Sequence, residues 1–517
     1  MADTKLPCPH CEKPGPHKLT HAGSNPRFTC SRCGKSFRES TALGAVEPTP
    51  VEGTRFVVTS AVSGSLVHPA FLRSLEAYCV ATKSQLLVVP IRYHNPTSTR
   101  QHSGEVFDER LEKYIAGSCE IVETENGKTI KKWYGGRYEL CPNLTLMADV
   151  PTQPTAARPL SGLQTMSGRA SAIFGHPKVA LETVASLGTH KKIVLTTGAV
   201  TRPEYSSSKA GKKGEFHHVM GAVIVEIEGS HFHLRHVHAN ADGSFYDLDA
   251  KWSETGKTTA TAKVLTCGDL HAVRANPSVL QATFFGKGSM LARLKPAKVV
   301  LHDVLDFQSA SHHNRFFDKV RLAKVKKNDV MAEVTETCAL LDKIVVAAGG
   351  AEVLIVPSNH HDHFTKWLEN KDNAHDDVNA EVFHETKTAF IKALKAGKAF
   401  DPLTFWASKL MDNFSKVRFL DRNESFIVDK VEYSQHGDLG PNGVKGSIGA
   451  FTKAGSKMVI GHSHTPGIMD GVVQVGTSSE MKMGYNNGLS SWLHSHCVAY
   501  PNGKRALLTI IDSRWCE

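Results

Sequence analysis

The segment AKVLTCGDLH (262–271) joins an apolar run, typical of a buried strand, to a short polar loop that carries Asp269 and His271. The same arrangement recurs in AKVVLHD (297–303), AEVLIVPSN (351–359) and KMVIGHSH (457–464). Ligands of open α/β sheets bind at the carboxyl ends of the strands. The pattern therefore predicts an α/β fold for residues 260–517, with the four loops meeting at one sheet edge.

The side chains of these loops are oxygen and nitrogen donors. The candidate metal ligands are Asp269, His271, Asp303, Asn359, His436, His462 and His464. A centre of two divalent cations needs shared carboxylate oxygens, and neutral imidazoles can fill its remaining positions. The sequence therefore predicts two divalent cations, with Mn²⁺ favoured and Mg²⁺, Zn²⁺ or Fe²⁺ also compatible with these ligands.

Five sequence blocks resemble the signature blocks of calcineurin-like metallophosphoesterases in residue type, order and spacing. They are GDLH (268–271), LHDVLD (301–306), PSNHHDH (357–363), QHGD (435–438) and GHSH (461–464). The resemblance covers roughly residues 262–517. It implies a two-layered β-sandwich flanked by helices, with two metals at one edge, and hydrolysis of phosphoesters.

The resemblance also implies a role for each residue. Asp269, His271 and His464 would bind the first metal, and Asp303 would bridge both. Asn359, His436 and His462 would bind the second. His360 would act as a catalytic residue by protonating the leaving oxygen, and Asp303 would be catalytic as the bridge.

Two blocks depart from the family pattern. The second usually begins with Gly-Asp, whereas His302 precedes Asp303 here, so Asp306 remains an alternative bridging residue. The third block carries an additional histidine, which leaves His361 as an alternative to His360 for the catalytic role.

The first 44 residues contain two cysteine pairs, Cys8-Pro-His-Cys11 and Cys30-Ser-Arg-Cys33, separated by 18 residues. This spacing is typical of a zinc ribbon, in which four thiolates complete a closed structural site. Seven Lys or Arg against three Asp or Glu in residues 1–40 make the segment basic. A structural Zn²⁺ and a contact with nucleic acid are the resulting predictions.

A Pro/Thr/Glu-containing linker (45–54) precedes a predicted middle α/β domain, residues 55–255, whose role the sequence does not indicate. RFVVTSAV (55–62), a helical stretch and QLLVVPIRY (85–93) have the pattern of a βαβ unit. Farther along, residues 315–350 predict one long amphipathic helix that ends at Gly349-Gly350.

Several other histidines compete with the candidate ligands. His494 and His496 lie in a predicted strand, where packing is favoured over metal binding. The histidines of residues 231–238 are predicted to lie at the surface. His312 and His313, close after the Asp303 block, are candidates for facing the substrate.

Composition restricts the class of protein. A chain of 517 residues predicts two or three domains, and its formal charge of +10 mildly favours polyanionic partners. No apolar run approaches the roughly 18 residues needed to cross a bilayer. Cytoplasmic location, reduced scattered cysteines and no membrane partner are therefore expected. The sequence leaves open whether the chain forms a homo-oligomer.

Three functions fit these features. The first is a DNase, because the whole chain resembles DNase-like metallophosphoesterases of tailed phages and nucleases of double-strand-break repair, which would place it in the host cytoplasm. The second is a phosphomonoesterase acting on a nucleotide or phosphoprotein, with Arg274 as a candidate phosphate clamp. The third is a DNA-binding or assembly protein with a vestigial metal site.

Overall fold

The computed structural model describes residues 8–13, 15, 17–21, 27–38, 47–92, 107–123, 129–187, 191–484 and 486–516. Residues 1–7 and 39–44 of the predicted ribbon, residues 45–46 of the predicted linker, and Tyr93 lie outside these ranges. The secondary structure alternates strands and helices, which confirms the predicted α/β class.

The strands are, in chain order, β1 (His17–His21), β2 (Arg27–Cys30), β3 (Ser36–Arg38), β4 (Thr49–Pro50), β5 (Arg55–Val62), β6 (Gln85–Ile91), β7 (Gly117–Glu123), β8 (Thr129–Gly135), β9 (Arg137–Cys141), β10 (Leu144–Met147), β11 (Ser171–Phe174), β12 (Leu181–Val184), β13 (Lys192–Thr196), β14 (Gly221–Glu228), β15 (His231–His238), β16 (Phe245–Asp247), β17 (Ala250–Ser253), β18 (Gly256–Thr259), β19 (Val264–Thr266), β20 (Lys298–His302), β21 (Glu352–Val356), β22 (Val417–Phe419), β23 (Ile427–Val428), β24 (Val431–Glu432), β25 (Lys457–Ile460), β26 (Gly467–Met469), β27 (Val472–Gln474), β28 (Ser495–Tyr500) and β29 (Lys504–Thr509).

The α-helices are α1 (Pro69–Thr82), α2 (Glu109–Glu112), α3 (Lys209–His217), α4 (Pro277–Leu280), α5 (Met290–Leu294), α6 (Phe316–Lys324), α7 (Val330–Ala347), α8 (Asn359–Glu369), α9 (Ala380–Lys395), α10 (Pro402–Leu410) and α11 (Ile448–Phe451). Among the described residues, no helix combines the length and apolarity needed to cross a membrane.

Two sheets face each other and form the core around the candidate site. One has six strands in the order β22-β21-β20-β19-β28-β29, and the other has eleven in the order β23-β24-β25-β27-β26-β12-β13-β11-β10-β9-β4. Side chains of β20 alternate between the two faces of its sheet. Val300 belongs to the same buried hydrophobic cluster as Val459 of the second sheet, whereas Val299 and Leu301 belong to the cluster that contains Leu341 of the helical layer. The six-stranded sheet is thus covered on both faces.

The eleven-stranded sheet crosses the boundary predicted near residues 255–260. Strand β12 pairs antiparallel with β26, with Leu181 opposite Ile468 and Glu182 opposite Gly467. Residues of the predicted middle domain and of the predicted C-terminal domain therefore share one hydrogen-bonded sheet. Whether the two segments fold as separate domains stays a prediction. The eleven-stranded sheet itself contains strands from both sides of the predicted boundary.

The βαβ unit predicted after residue 54 is present, because β5 and β6 pair in parallel on either side of α1. The single long helix predicted within residues 315–350 is wrong. It is divided into α6 and α7: Lys326 takes a positive φ of 56°, and the Asp329 side chain caps α7 by accepting from the Ala332 N–H. A residue in the left-handed region and a new cap both interrupt a helix.

Candidate metal centre

The loops after β19, β20, β21 and β25 come together at one edge of the paired sheets. Asp269, His271 and Asp303 are buried there, with 0%, 0% and 2% of their surfaces exposed. Parallel pairing of β19, β20 and β21 brings three of these strand ends side by side. The convergence predicted from the sequence is therefore present in the fold.

One group of potential ligands consists of Asp269, His271 and His464, whose ligand atoms lie within 4.8 Å of one another. The Nε2 atoms of His271 and His464 are 3.1 Å apart, and His464 Nε2 lies 3.1 Å from Asp269 Oδ2. Neighbouring ligands of a cation bound at about 2.1 Å stand about 3 Å apart. This group has the dimensions of one side of a metal site.

A second group joins the first through the two aspartates. Asp269, Asp303 and His436 also bring one ligand atom each within 4.8 Å of the others. Asp303 Oδ2 lies 3.4 Å from His271 Nε2 and 3.7 Å from His436 Nε2, so this oxygen stands between histidines predicted for different cations. That is the position expected of a bridging carboxylate.

Asn359 and His462 form the remaining pair, with Asn359 Oδ1 3.1 Å from His462 Nδ1. The His462 ring lies 5.2 Å from the His436 ring, centroid to centroid. Both residues of the pair line the same cleft as Asp303. Four of the seven predicted ligands, Asp303, Asn359, His462 and His464, therefore line one cleft, and the other three lie buried beside them.

Several buried polar atoms of the centre have no hydrogen-bond partner among the described residues. They are Oδ1 of Asp269, Nε2 of His436 and Nδ1 of His464. An unsatisfied buried polar group costs about 1–3 kcal/mol, and more when it is charged. Cations held by these atoms would remove that cost, so the donor set fits the predicted metals.

The electrostatics agree with a site for positive charge. Burial alone would lower the pKa of His271, but the carboxylates of Asp303 and Asp306 outweigh it and raise the pKa to about 9. Burial lowers the pKa of His436 to about 3, which keeps its imidazole neutral, as a metal ligand must be. The carboxylates therefore favour positive charge at this position, and a metal cation bound there would displace the proton of His271.

The backbone around the centre is strained. His271, Asp303, His462 and His464 have positive φ angles of 43°, 49°, 74° and 58°. Non-glycine residues rarely adopt this region, and such residues concentrate at functional sites, at a cost of about 1–3 kcal/mol each. Gly461 directly precedes His462. A larger residue cannot replace it without a shift, because a Cβ atom there would overlap the Asp269 carboxylate.

The structure separates the roles open to Asp303 and Asp306. Asp303 Oδ1 accepts a 2.5 Å hydrogen bond from Ser358 Oγ, while its Oδ2 faces the imidazoles. Asp306 Oδ1 lies 2.9 Å from Nδ1 of His271, on the side of the ring away from His464. A carboxylate in this position orients a ligating histidine. The geometry favours Asp303 as the bridge and Asp306 as a positioning residue.

His360 and His361 also differ. The Nδ1 of His360 donates to the Asp306 carbonyl at 2.7 Å, and its Nε2 lies 3.9 Å from Asp303 Oδ2 in the cleft. His361 is buried, with 6% of its surface exposed, and it does not line the cleft. The geometry therefore favours His360 as the residue that reaches a substrate.

The cleft above the centre has a volume of about 580 Å³, and Asp303, Asn359, His360, His462 and His464 line it. A larger cavity of about 890 Å³ lies between α4 and α7. Its described lining contains no histidine and no convergent metal-binding groups. Chemistry rather than volume therefore locates the candidate site.

Comparison with known proteins identifies a relative over most of the chain. Protein A1 of Escherichia phage T5 is 31% identical over 483 residues, which are 90% of this chain and 83% of that protein. The chain belongs to the family of phage T5 protein A1. No family model matches it.

Solved structures give only low overall similarity. A Vps29 double mutant from Entamoeba histolytica aligns with 37% of this chain and 99% of its own, at 13% identity and a TM-score of 0.19. Vps29 from Chaetomium thermophilum aligns with 40% of this chain and 99% of its own, at 10% identity and a TM-score of 0.19. Scores this low carry no structural argument.

In this member of the protein A1 family, the four cysteines predicted to form the ribbon site lie together. Cys8 Sγ is 3.7 Å from Cys33 Sγ, and Cys11 Sγ is 3.8 Å from Cys30 Sγ. The N–H groups of His10 and Arg32 point at the sulfurs of Cys8 and Cys30, both at 3.4 Å. With the three-stranded sheet β1-β2-β3 beside it, this cluster fits a structural zinc site.

Sequence reasoning missed two residues that support the centre. Ser358 caps α8 by accepting from the His361 N–H, and it also donates to Asp303. Trp492 packs against His464, with ring centroids 4.1 Å apart, and lines the cleft. A capping serine before a helix was readable from PSNHHDH, but no local pattern linked Trp492 to the site.

The other histidines divide as follows. His496 is structural, as predicted: its Nδ1 accepts from the Gly268 N–H, and its Nε2 bonds Thr283 Oγ1. The surface position predicted for residues 231–238 is wrong for His233 and His236, which point to opposite faces of β15 and are buried because both faces are covered. Of the two histidines predicted to face the substrate, His313 lines the cleft and His312 does not, so contact with a substrate stays a prediction.

Proposed function

We propose that this chain hydrolyses phosphodiester bonds of nucleic acid, DNA in particular, at a centre of two divalent cations. The observation that carries the proposal is the grouping of Asp269, Asp303, His271, His436 and His464, in two overlapping sets, within metal-binding distance of one another, beside an open cleft that Asp303 and His464 line. The resemblance of the five sequence blocks to metallophosphoesterases supports the reaction class. Membership of a phage protein family supports action in the cytoplasm of an infected bacterium.

The residues that would hold the cations are Asp269, His271, Asp303, Asn359, His436, His462 and His464. When bound, such ions stabilise the charge that develops on phosphoryl oxygens, with Mn²⁺ favoured by the mixed carboxylate, amide and imidazole ligands. Ser358 holds one oxygen of Asp303, so that the other remains directed at the histidines. Asp306 similarly fixes the ring of His271.

His360 is the group that would move a proton. Its Nδ1–H is held by the Asp306 carbonyl, which leaves Nε2 directed into the cleft. In the proposed reaction the oxygen of a water molecule forms a new bond to phosphorus and the water loses a proton to solvent. The bond from phosphorus to the leaving oxygen breaks, and the proton on Nε2 of protonated His360 passes to that oxygen. General acid catalysis of this kind contributes about 10²–10⁴-fold.

The helix α6 at the rim of the cleft supports a nucleic acid substrate. Phe316 and Phe317 expose 72% and 77% of their surfaces, and Arg321 lines the cleft. Lys319 and Lys324 are exposed on the same helix. Exposed aromatic rings beside cationic side chains are the combination that binds single-stranded nucleic acid, through base stacking and phosphate contacts.

A clamp for a terminal phosphate monoester finds less support. Arg274 donates to the Lys482 carbonyl at 3.1 Å and forms an ion pair with Glu480 at 3.1 Å. Its guanidinium is thus occupied by the neighbouring loop. A phosphomonoesterase therefore lacks the free clamp that the sequence suggested for it.

The test is a parallel assay of the full chain with Mn²⁺ on linear DNA, circular DNA, single-stranded DNA and a chromogenic phosphate monoester. We expect cleavage of DNA and little of the monoester. Cleavage of the monoester alone would replace the nuclease proposal with the phosphomonoesterase. No cleavage with Mn²⁺, Mg²⁺, Zn²⁺ or Fe²⁺ would favour a binding protein with a vestigial site.

The rim helix provides a sharper test of the substrate class. In the variant F316A/F317A we expect the KM for single-stranded DNA to rise about tenfold or more, because base stacking contributes about 1–3 kcal/mol per base. The matched control is Phe390→Ala, since Phe390 is also a partly exposed helical phenylalanine but lies on α9, which contributes no residue to the cleft, whereas α6 contributes Arg321. An unchanged KM in the double variant would remove α6 from the binding surface.

A further inference from the structure

A second group of histidines lies beside the candidate centre and contains none of the predicted ligands of that centre. One ring nitrogen from each of His312, His313 and His363 lies within 4.8 Å of the other two. The ring centroids are 3.9 Å apart for His312 and His313, 4.7 Å for His312 and His363, and 5.4 Å for His313 and His363. Three imidazoles therefore face one small volume.

The segments that carry these histidines are anchored. The N–H groups of Gln308 and Ser309 donate to the buried Glu333 carboxylate at 3.0 and 2.8 Å, which ties the loop to α7. Within the loop, the Asn314 side chain donates to the Gln308 carbonyl at 2.7 Å. These contacts hold the adjacent His312 and His313 over α8.

His363 supplies the buried member of the group. It lies on α8, only 6% of its surface is exposed, and its Nδ1 has no hydrogen-bond partner among the described residues. A buried nitrogen without a partner is costly in a core of satisfied polar groups. A ligand that binds the Nδ1 atom of His363 would satisfy this nitrogen and remove the cost of burying it.

The donor set distinguishes this group from the candidate centre. It offers three imidazole nitrogens and no carboxylate, a combination that suits Zn²⁺ and disfavours Mg²⁺ or Mn²⁺. Three protein ligands leave one tetrahedral position open, as in zinc sites that exchange a ligand. We propose that His312, His313 and His363 form a further metal site of this chain, which prefers Zn²⁺ to Mg²⁺ or Mn²⁺.

The position of these three histidines beside the cleft indicates which ligand would fill the open coordination position of the metal. His313 and His363 line the same cleft as Asp303, and the His363 ring lies 4.9 Å from the His360 ring. An anionic oxygen, such as that of a phosphate group in the cleft, is the chemical class that would complete the tetrahedron. The metal site itself does not depend on the proposed nuclease activity.

The test measures zinc bound to the full chain, without any substrate. Wild type and the variant H312Q/H313Q are dialysed against the same free Zn²⁺ concentration, and bound metal is measured by mass spectrometry. Both residues are exposed, so the substitutions leave the core intact. The matched control is H375Q/H384Q, because these two histidines are also exposed and lie outside every metal-binding group of the described residues.

We expect wild type and the control to retain one more equivalent of Zn²⁺ than H312Q/H313Q, and to keep it in millimolar Mg²⁺. Equal zinc content in all three proteins would overturn the site. Displacement of the additional equivalent by Mg²⁺ would overturn its selectivity. Because no DNA is present, either failure leaves the proposed hydrolysis to its own assay.

Discussion

Buried histidines occur in two regions of this molecule, and the two sets behave differently. In the region of β11–β15, His176 Nε2 donates to the Gln153 carbonyl at 2.9 Å and His236 Nε2 donates to the Thr196 carbonyl at 2.6 Å. At the candidate centre, His436 Nε2 and His464 Nδ1 have no such partner among the described residues. Unpartnered ring nitrogens also occur on β15, at His233 Nδ1 and His238 Nε2. Burial and an unpartnered nitrogen are therefore not enough, and the functional region is marked by the grouping of such nitrogens with the carboxylates of Asp269 and Asp303.

The largest effect that tests this distinction is expected for Asp303→Asn. Loss of the bridging charge removes several kcal/mol of stabilisation of the transition state, which corresponds to a rate lower by about 10³-fold or more. Bound Mn²⁺, measured with the DNA cleavage rate, should fall as well. Asp377→Asn, a change at an exposed aspartate away from the cleft, should alter neither quantity. Full activity of Asp303→Asn would place the bridge elsewhere.

The next effect concerns His360, the partly exposed histidine of the cleft. His360→Gln removes the proton donor and keeps the cation ligands, so turnover should fall about 10²–10⁴-fold with unchanged metal content. His384→Gln serves as the control at an exposed helical histidine. If His360→Gln loses metal instead, His360 is a ligand; if His361→Gln alone lowers turnover, the catalytic role belongs to His361.

The next effect concerns the buried histidines whose ring nitrogens have hydrogen-bond partners, and it should appear at acidic pH. Burial lowers the pKa of His236 to about 4, below the value of about 6.5 in an unfolded chain. The unfolded state therefore binds more protons between these values, so the stability contributed by a neutral His236 is complete above pH 6.5 and falls as the pH drops toward 4. The shift corresponds to about 3 kcal/mol.

Urea unfolding of His236→Leu and wild type at pH 7 and pH 4 measures this contribution. The difference in unfolding free energy between the two proteins should shrink by up to about 3 kcal/mol at the lower pH, because leucine cannot be protonated. His384→Gln is the control at an exposed histidine, and its unfolding free energy should change with pH as that of wild type does. Loss of bound metal in acid would lower the stability of all three proteins alike. A difference that does not change with pH would mean that His236 is already protonated or exposed.

The smallest expected effect separates capping from metal positioning. Ser358→Ala should lower the free energy of unfolding by about 1 kcal/mol, since it removes the cap of α8. It should also weaken Mn²⁺ binding about 10–100-fold, because Asp303 loses the donor that orients it. Ser447→Ala removes the cap of α11, a helix that contributes no residue to the cleft, and should leave Mn²⁺ affinity unchanged. Equal affinities in the two variants would limit Ser358 to capping.

The gathering of Asp269, Asp303 and Asn359 could be predicted, because each follows an apolar run and parallel strands end at a common edge. The position of Asp306 behind His271 could not, since it depends on the turn that follows β20. The pairing of Leu181 with Ile468 was also beyond prediction, because no local pattern specifies which distant strand lies beside another. Burial of His236 was missed because an alternating strand resembles a surface hairpin until its covering layer is known.

The pairing of β12 with β26 has a practical consequence for dissecting this protein. Expression of residues 260–517 alone would strip β26 of its neighbour and leave its backbone N–H and C=O groups open to other chains. Unprotected sheet edges of this kind promote aggregation and strand exchange. If a truncated fragment precipitates or is inactive, the cause would be the loss of β12 from the sheet, and the result would not test the predicted metal centre.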